Sequence, residues 1–138
     1  MLIVIRIKGQ VELSGVLEET LFRMRLRRKY SAVLLPENEN SLNILAKVRN
    51  CVAYGPIDKD TLSELLRKRA VSVEKKKIDV DKIIDSLDKK SLQDLGIKPF
   101  FRLHPPRGGI DSKIHFGRKK GVLGDNKEKI NDLLRRML

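Results

Sequence analysis

The chain has 138 residues, enough for one ordinary domain or for a small domain with an appendage. Its 30 Lys and Arg against 18 Asp and Glu give a net charge of +12, which exceeds what solubility requires and predicts a polyanionic partner. The single cysteine, Cys51, excludes an internal disulfide and a CxxC zinc site, and we predict that it is a buried small hydrophobe. No stretch approaches the roughly 20 apolar residues of a membrane span or resembles a signal peptide. A cytoplasmic protein without a membrane partner is therefore expected.

The first 57 residues predict a β-α-β-α-β unit. Runs rich in β-branched residues predict strands, and apolar residues at helical spacing predict helices. The predicted strands cover residues 2–7, 31–35 and 52–54, and the predicted helices cover 15–28 and 39–49. Ser14 and Asn38 are candidate N-caps. The expected fold is α+β, a two-layer core with both helices on one face of a three-stranded sheet, whose other face and edges are open for partners.

Two features of this unit carry positive charge. Arg6 and Lys8 alternate with Ile5 and Ile7 along the first strand, so both are predicted to point outward. The predicted first helix ends in five cations among seven residues, Arg23, Arg25, Arg27, Arg28 and Lys29. Complementarity with the helix dipole explains part of this charge. Since Arg23 and Arg27 are one helical turn apart, we also predict a phosphate contact here.

Residues 58–138 predict a C-terminal extension of short helices around a basic loop. Helices are predicted over residues 58–69, 81–87 and 125–137, with a helical turn over 91–95. The last helix begins at Asp125, which with Glu128 three residues later resembles a capping box. Residues 121–124 are interpreted as a turn before this helix. The predicted domains are thus a β-α-β-α-β core domain over 1–57 and the extension over 58–138.

The most informative segment is the basic loop over residues 99–121. One acid, Asp111, interrupts its six cations, Arg102, Arg107, Lys113, Arg118, Lys119 and Lys120. Three prolines and the Gly108–Gly109 pair disfavour helices and inner strands. A stiff loop that exposes cations and backbone amides is therefore predicted, with a phosphate-rich surface as its partner. A merely solvated face would explain the charge but not the paired prolines and glycines.

No motif predicts catalysis, a cofactor or a metal. The glycines around Gly108 and Gly121 lack the spacing of a phosphate-binding loop or a dinucleotide fingerprint. His104 and His115 are far apart in sequence and lack a cysteine cluster, so a zinc site is not expected. Acid pairs such as Asp58 and Asp60 fall at predicted helix starts, where capping explains them. An enzyme is therefore not expected.

Four segments, taken in order, resemble one known family. They are LRRKY at 26–30; SLNIL at 41–45 with VAYG at 52–55; FRL at 101–103 with PRGG at 106–109; and HF at 115–116 with GDN at 124–126 and LRRM at 134–137. Together they span nearly the whole chain. The chain is similar to the universal large-subunit ribosomal protein thirty, in its archaeal and eukaryotic long type, which is protein seven of the eukaryotic large subunit.

The resemblance implies a fold and a set of partners. It implies a mainly antiparallel sheet in the order 3-1-2, whereas the handedness of strand–helix–strand units would favour parallel pairing. It implies a structural constituent of the large ribosomal subunit that binds large-subunit rRNA near the five-S rRNA. Neighbouring ribosomal proteins are further expected partners, with a single copy per subunit and no cofactor.

The candidate RNA-binding residues combine the helix end, the basic loop and one strand residue. They are Lys8, Arg23, Arg27, Arg28, Lys29, Arg102, His104, Arg107, Gly108, Gly109, Lys113, His115, Arg118, Lys119 and Lys120. Arginines suit bidentate phosphate contacts and lysines add point charges. Glycines admit a close RNA backbone, and histidines suit stacking or phosphate binding. His115 could instead pack beside Phe116 against the domain.

Two other functions stay open on the residues alone. One is a free RNA-binding regulator or chaperone outside the ribosome, although the chain has neither an RNP aromatic motif nor a GXXG loop in the context of a KH domain. The other is a protein-interaction module whose basic loop binds an acidic partner.

Overall fold

The computed structural model describes residues 1–138 and has an α+β fold built on one six-stranded sheet. The strands are β1 (Leu2–Arg6), β2 (Ser31–Leu35), β3 (Val52–Pro56), β4 (Phe101–Arg102), β5 (Ser112–His115) and β6 (Gly121–Asp125). The helices are α1 (Gly15–Arg23), α2 (Glu39–Val48), α3 (Lys59–Arg69), α4 (Val80–Ser86) and α5 (Ile130–Met137). A 3₁₀ turn, Lys127–Lys129, leads into α5.

The sheet is mixed, with the strand order β4-β2-β1-β3-β6-β5. β1 pairs antiparallel with β2 and β3, β4 pairs antiparallel with β2, and β6 pairs in parallel with β3 and β5. The predicted α+β class is confirmed. The predicted three-stranded, mainly antiparallel sheet is wrong, because the C-terminal half adds three strands to the central β2-β1-β3 group and two of the added pairings are parallel.

The segment between α1 and β2 explains why β1 and β2 are antiparallel. Residues 24–30 return to the end of β1, where the Tyr30 amide donates to the Arg6 carbonyl at 2.8 Å. β2 therefore starts beside the end of β1 and runs back along it. The handedness rule does not apply here, because it governs parallel connections only.

Both faces of the sheet are covered. Leu2 and Val4 pack with residues of α1 and α2, whereas Ile3 and Ile5 pack with residues of α3, α4 and α5. All five residues of β1 are buried as a result. The expected open face is therefore wrong: the C-terminal helices cover it, and the apolar surface that they bury stabilises the fold at roughly 25 cal/mol per Å².

Arg6 is the main exception to the predicted outward side chains. It is 1% exposed, and its guanidinium donates to the carbonyl oxygens of Lys8 at 2.9 Å, Leu26 at 2.6 Å and Gly9 at 3.2 Å. Burial lowers the pKa of Arg6 from its ordinary value. The predicted outward orientation is wrong because both faces of β1 are covered, and three carbonyls replace the water that Arg6 loses.

α1 and α2 begin where the sequence predicts, but α1 ends earlier than predicted. Ser14 Oγ accepts from the Leu17 amide at 3.4 Å and Asn38 Oδ1 accepts from the Ser41 amide at 2.8 Å, which confirms both N-caps. α1 ends at Arg23 rather than at residue 28, and Arg25 follows with a left-handed φ of 64°. The prediction that Arg23 and Arg27 are one helical turn apart is therefore wrong.

The C-terminal segment differs from the prediction at residues 121–129. Residues 121–125 form β6 where a turn was predicted, and α5 begins at Ile130. The predicted capping box is wrong, since Asp125 Oδ1 accepts from the Lys127 amide at 2.9 Å and closes the passage from strand to 3₁₀ turn. Pairing with β3 outweighs the local helix signal here. The predicted loop over 99–121 likewise contains β4 and β5.

Gly55 lets the C-terminal segment lie directly on β3. A Cβ at this position would be 2.4 Å from the Lys127 carbonyl oxygen and 2.9 Å from Ile130 Cγ2. Asn131 completes the junction, because its Oδ1 accepts from the Asp58 amide at 3.0 Å. β4 and β6 of the C-terminal part pair with β2 and β3 of the N-terminal part, so the two parts share one sheet. The division into domains 1–57 and 58–138 stays a prediction.

Candidate nucleic-acid interface

The predicted RNA-binding residues divide between the two edges of the sheet. Arg102 lies on edge strand β4, where Ser31 is its partner, and the loop 24–30 after α1 is therefore its neighbour. Lys113 lies on the other edge strand, β5, five strand spacings or about 24 Å away. The segment 99–121 thus does not present its cations as one loop, and we name the two groups separately. The arginine end is Arg25, Arg27, Arg28 and Arg102, and the lysine end is Lys113, Arg118, Lys119 and Lys120.

The arginine end is concave. Its four guanidinium-bearing side chains line a hollow of about 330 Å³ together with Ser31 and Phe100. None of the four forms an ion pair with a carboxylate within 4.0 Å. The four positive charges in this hollow repel one another, and no carboxylate of the protein offsets that repulsion. A bound anion would therefore lower the electrostatic energy of this end.

The fold holds this loop in a defined conformation. Leu26 is fully buried, and its carbonyl accepts from the buried Arg6 guanidinium. Arg25 and Tyr30 have left-handed φ angles of 64° and 63°, a conformation that costs non-glycine residues about 1 kcal/mol or more. When the side-chain amide of Gln93 is oriented with its oxygen toward Arg25, Oε1 accepts hydrogen bonds from Nη1 and Nη2 of Arg25, each at 2.8 Å. The guanidiniums are therefore presented by a built loop rather than by a frayed helix end.

Aromatic rings lie beneath the cations of this end. Arg27 lies over Phe22 at 4.1 Å from the ring centroid, Lys29 over Tyr30 at 4.8 Å, and Arg102 over Phe100 at 6.0 Å. Such contacts hold a cation over a ring face at a modest energy gain. The predicted site residues did not include these rings or Arg25, although two local signals were available: Phe22 and Tyr30 enclose the cations of FRMRLRRKY at 22–30, and Phe100 is two residues before Arg102.

The basic surface continues beyond Arg102. A second hollow, of about 320 Å³, shares Phe100 and Arg102 and is also lined by Lys68, Arg69 and Lys98. Arg69 donates to the Leu138 oxygen at 3.1 Å, and its Nε is buried without a partner. Lys68 and Lys98 were missed from the sequence, because only the packing of α3 beside β4 brings them to this edge.

The lysine end is exposed. All four of its side chains are exposed, and Lys119 and Lys120 have left-handed φ angles of 38° and 56° in the turn between β5 and β6. Lys120 Nζ lies 4.0 Å from Asp111 Oδ2, so one of the four positive charges of the lysine end is partly paired. The exposed pair contributes little energy.

The segment from His104 to Gly109 lies against α5. The amides of His104 and Arg107 donate to the carbonyls of Met137 and Arg136, each at 3.0 Å. The expectation that this loop exposes its amides is therefore wrong at these two residues, because they satisfy the last carbonyls of the helix. Gly108 and Gly109 have φ angles of 78° and 73° and close a turn, with open space where Cβ atoms would lie. The side chains of His104 and Arg107 are exposed.

His115 does not share the exposure of its neighbours. Its Nε2 lies 2.7 Å from Asn50 Oδ1, which joins β5 to the turn before β3. The ring is half-buried. This contact favours the packing alternative over base stacking for His115.

The remaining predicted residues, Lys8, Arg23 and Lys29, are distributed around the arginine end. Lys8 is half-buried, and its amide donates to the Cys51 carbonyl at 3.1 Å. Arg23 is exposed and pairs with Glu19 at 2.6 Å, so part of its charge is compensated. Cys51 itself is 1% exposed, which confirms the predicted buried hydrophobe, and burial raises the pKa of its thiol.

The molecule contains no cluster of three or more His, Cys, Asp or Glu side chains that could hold a metal ion. None of its helices has the length and hydrophobicity needed to cross a membrane.

A concave cluster of unpaired arginines with aromatic neighbours on an α+β sheet is typical of proteins that bind nucleic acid. No protein-family model matches the chain. Among curated proteins, the chain is 38% identical over 153 residues to the large ribosomal subunit protein uL30 of Methanococcus vannielii, covering 98% of this chain and 97% of that protein. The uL30 proteins of Nanoarchaeum equitans and Pyrobaculum islandicum are 35% and 36% identical, each over 98% of this chain and over 97% and 92% of their own lengths. The chain therefore belongs to the family of large ribosomal subunit protein uL30, as the resemblance predicted.

Proposed function

We propose that the chain binds large-subunit rRNA mainly through the arginine end, with the lysine end as a second contact. As a member of the uL30 family it is a structural constituent of the large ribosomal subunit in the cytoplasm and not an enzyme. It associates there with the rRNA and the other proteins of that subunit. The RNA-binding roles of the individual residues are our proposal.

The observation that carries the proposal is the uncompensated charge of the arginine end. Arg25, Arg27, Arg28 and Arg102 line one hollow and pair with no carboxylate. Phosphates are the matching ligands, because the planar guanidinium forms two parallel hydrogen bonds to phosphate oxygens. Folded rRNA supplies several phosphates at once, which a hollow with four arginines can bind together.

We further infer contacts with neighbouring ribosomal proteins and with five-S rRNA, and one copy per subunit. The loop before α1 and its first turn leave Val11 85% and Val16 74% exposed, and burial of these side chains against a neighbouring protein would be favourable. The inferences on five-S rRNA and on copy number are supported only by the family resemblance.

Sedimentation of a cell lysate tests the proposed function. At moderate salt we expect the protein in the large-subunit fractions of a sucrose gradient, with release after ribonuclease or high salt, since phosphate contacts weaken as salt rises. Recovery in the light fractions only, with subunits intact, would contradict the proposal and favour a free RNA-binding regulator.

The same gradient locates the interface. A variant with Arg25, Arg27 and Arg28 replaced by Gln is expected to leave the large subunit at lower salt than the wild type. A matched variant with Lys75, Lys76 and Lys77 replaced by Gln removes the same charge from the segment between α3 and α4, and we expect it to behave as the wild type. Equal release of both variants would contradict the assignment to the arginine end.

A further inference from the structure

We propose that the arginine end binds an unstacked RNA base, from a bulge or a single strand, against Phe100. This inference rests on the proposed rRNA binding and names the kind of nucleotide that this site accepts. Phosphate binding alone needs only cations, whereas a base needs an aromatic or planar face.

The aromatic residues of the chain are concentrated at this end. The chain has only 4 Phe and 2 Tyr. Phe22, Tyr30 and Phe100 all lie at the arginine end, each with a cation over its ring. Of the other three, Phe101 is fully buried in the core, Tyr54 lies on β3, and Phe116 lies at the opposite edge of the sheet, where Lys129 is 5.8 Å from its ring centroid. A site that bound only the outside of a duplex would not require three rings beside its cations.

Strand alternation places Phe100 and Arg102 on the same side of the β4 edge. Phe101 and Leu103 point into the core, at 0% and 9% exposure. Since successive side chains of an extended chain point to opposite faces, Phe100 and Arg102 both point the other way. Phe100 is half-buried against the apolar cluster under α1 and α2, so its ring is held in place.

The shape of the surface also favours a single nucleotide. Phe100 and Arg102 border both hollows, and thus stand between Arg27 and Arg28 on one side and Lys68 and Lys98 on the other. A base in contact with Phe100 would therefore have cations on both sides for the phosphates before and after it. Arg102 can add a planar guanidinium to the stack.

Three RNA hairpins of identical stem and loop test this inference. One carries a single bulged adenosine, one carries an abasic residue at the same bulge, and one is fully paired. For the wild-type protein at low salt, we expect the bulged adenosine to bind about tenfold more tightly than the abasic bulge, because a stacked base contributes about 1–3 kcal/mol. The abasic hairpin keeps the phosphates, so the comparison isolates the base.

Variants assign the effect to the ring. Phe100→Leu is expected to remove the preference for the bulged adenosine and to leave the slope of affinity against salt unchanged, since no cation is lost. Phe100→Met serves as a second variant if the leucine variant fails to fold. Phe116→Leu, at the other edge of the sheet, is the matched control and should keep the preference.

The outcomes separate this inference from the proposed function. Equal affinity of the wild type for the adenosine and abasic bulges would overturn the inference and leave rRNA binding intact. Absence of binding to all three hairpins would also overturn the inference, and the sedimentation experiment then decides the proposed rRNA binding separately. A preference that survives in Phe100→Leu and in Phe100→Met would overturn the assignment to Phe100.

Discussion

The two ends of the sheet present similar charge in opposite ways. The arginine end is a hollow whose loop is anchored by Leu26 and by the buried Arg6, and whose cations lie over aromatic rings. The lysine end is an exposed turn without such an anchor for its side chains, and Lys120 is near Asp111. Arginine held in place suits recognition of geometry, whereas mobile lysines contribute charge.

A common feature sharpens the comparison. At both ends, non-glycine residues adopt left-handed φ angles, Arg25 and Tyr30 at one end and Lys119 and Lys120 at the other. Glycine would relax these positions but would remove a cation or a ring. We infer that both turns tolerate strain in order to present side chains, and that only the arginine end adds the packing that fixes their direction.

The largest expected effect comes from removing the anchor of the arginine end. Arg6→Met leaves the buried Leu26 carbonyl and the partly buried carbonyls of Lys8 and Gly9 without their donor, so the free energy of unfolding should fall by about 3 kcal/mol. Denaturant unfolding measures this loss. Arg49→Met, at an exposed arginine, is the control. A loss below about 0.5 kcal/mol for Arg6→Met would mean that the loop is not anchored through this side chain.

Removing charge at each end compares their roles in RNA binding. Replacing Arg25, Arg27 and Arg28 by Gln should weaken rRNA binding about 30-fold and flatten its salt dependence by about two units, since each lost phosphate contact contributes about 0.7 to 0.9. Replacing Lys113, Lys119 and Lys120 by Gln should cost less than a third of that factor. Fluorescence anisotropy over a salt series measures both variants. A larger loss at the lysine end would reverse the proposed order.

Gly55→Ala tests the junction that attaches the lysine end to the sheet. A methyl group 2.4 Å from the Lys127 carbonyl oxygen must displace the 3₁₀ turn, and overpacking of this kind costs about 1–3 kcal/mol. Thermal unfolding should show the loss. Gly15→Ala has no atom within 4 Å of the added Cβ and is the matched control. Equal stability of the two variants would contradict the close contact at Gly55.

Exchanging arginine and lysine keeps the net charge, so it separates the effect of guanidinium geometry on RNA binding from the effect of charge. Arg102→Lys should weaken RNA binding about threefold, because lysine cannot form the bidentate contact or stack as a plane. Lys119→Arg, at the lysine end, should change affinity by less than a factor of two. Similar effects in the two variants would indicate that both ends bind by charge alone.

The smallest expected effect is at Arg107, whose exposed side chain lies beside α5. Arg107→Ala should lower the slope of log affinity against log salt by about one unit and leave stability unchanged, since its backbone bond to Arg136 stays. A salt titration of RNA binding measures the slope. An unchanged slope would remove Arg107 from the interface and leave the two ends as separate contacts.

Local signals in the sequence predicted the elements whose formation depends on nearby residues. Ser14 and Asn38 cap α1 and α2, and β2 spans residues 31–35 as predicted, because a cap or a short apolar run ended by Pro36 acts over three to five residues. The family resemblance, specific through its PRGG and LRRM segments, was also readable from the residues and is supported by the uL30 relatives.

Contacts across the chain could not be predicted in this way. The alternation of polar and apolar residues along β1 predicted that Arg6 points outward. Arg6 is buried because helices cover both faces of β1. Residues 121–125 read as a turn, and only pairing with β3 makes them a strand. Arg102 is more than 70 residues from Arg25 in sequence, and the β2–β4 pairing alone brings them into one hollow.

The sequence by itself thus determined the charge, the starts of α1 and α2, the first three strands and the family, since these depend on composition and on neighbouring residues. The tertiary structure decided which cations act together. It divided the basic segment 99–121 between two edges of a six-stranded sheet and joined Arg102 to the end of α1. The physical reason is that burial of apolar surface and strand pairing act between distant residues, and they outweigh local preferences wherever the two disagree.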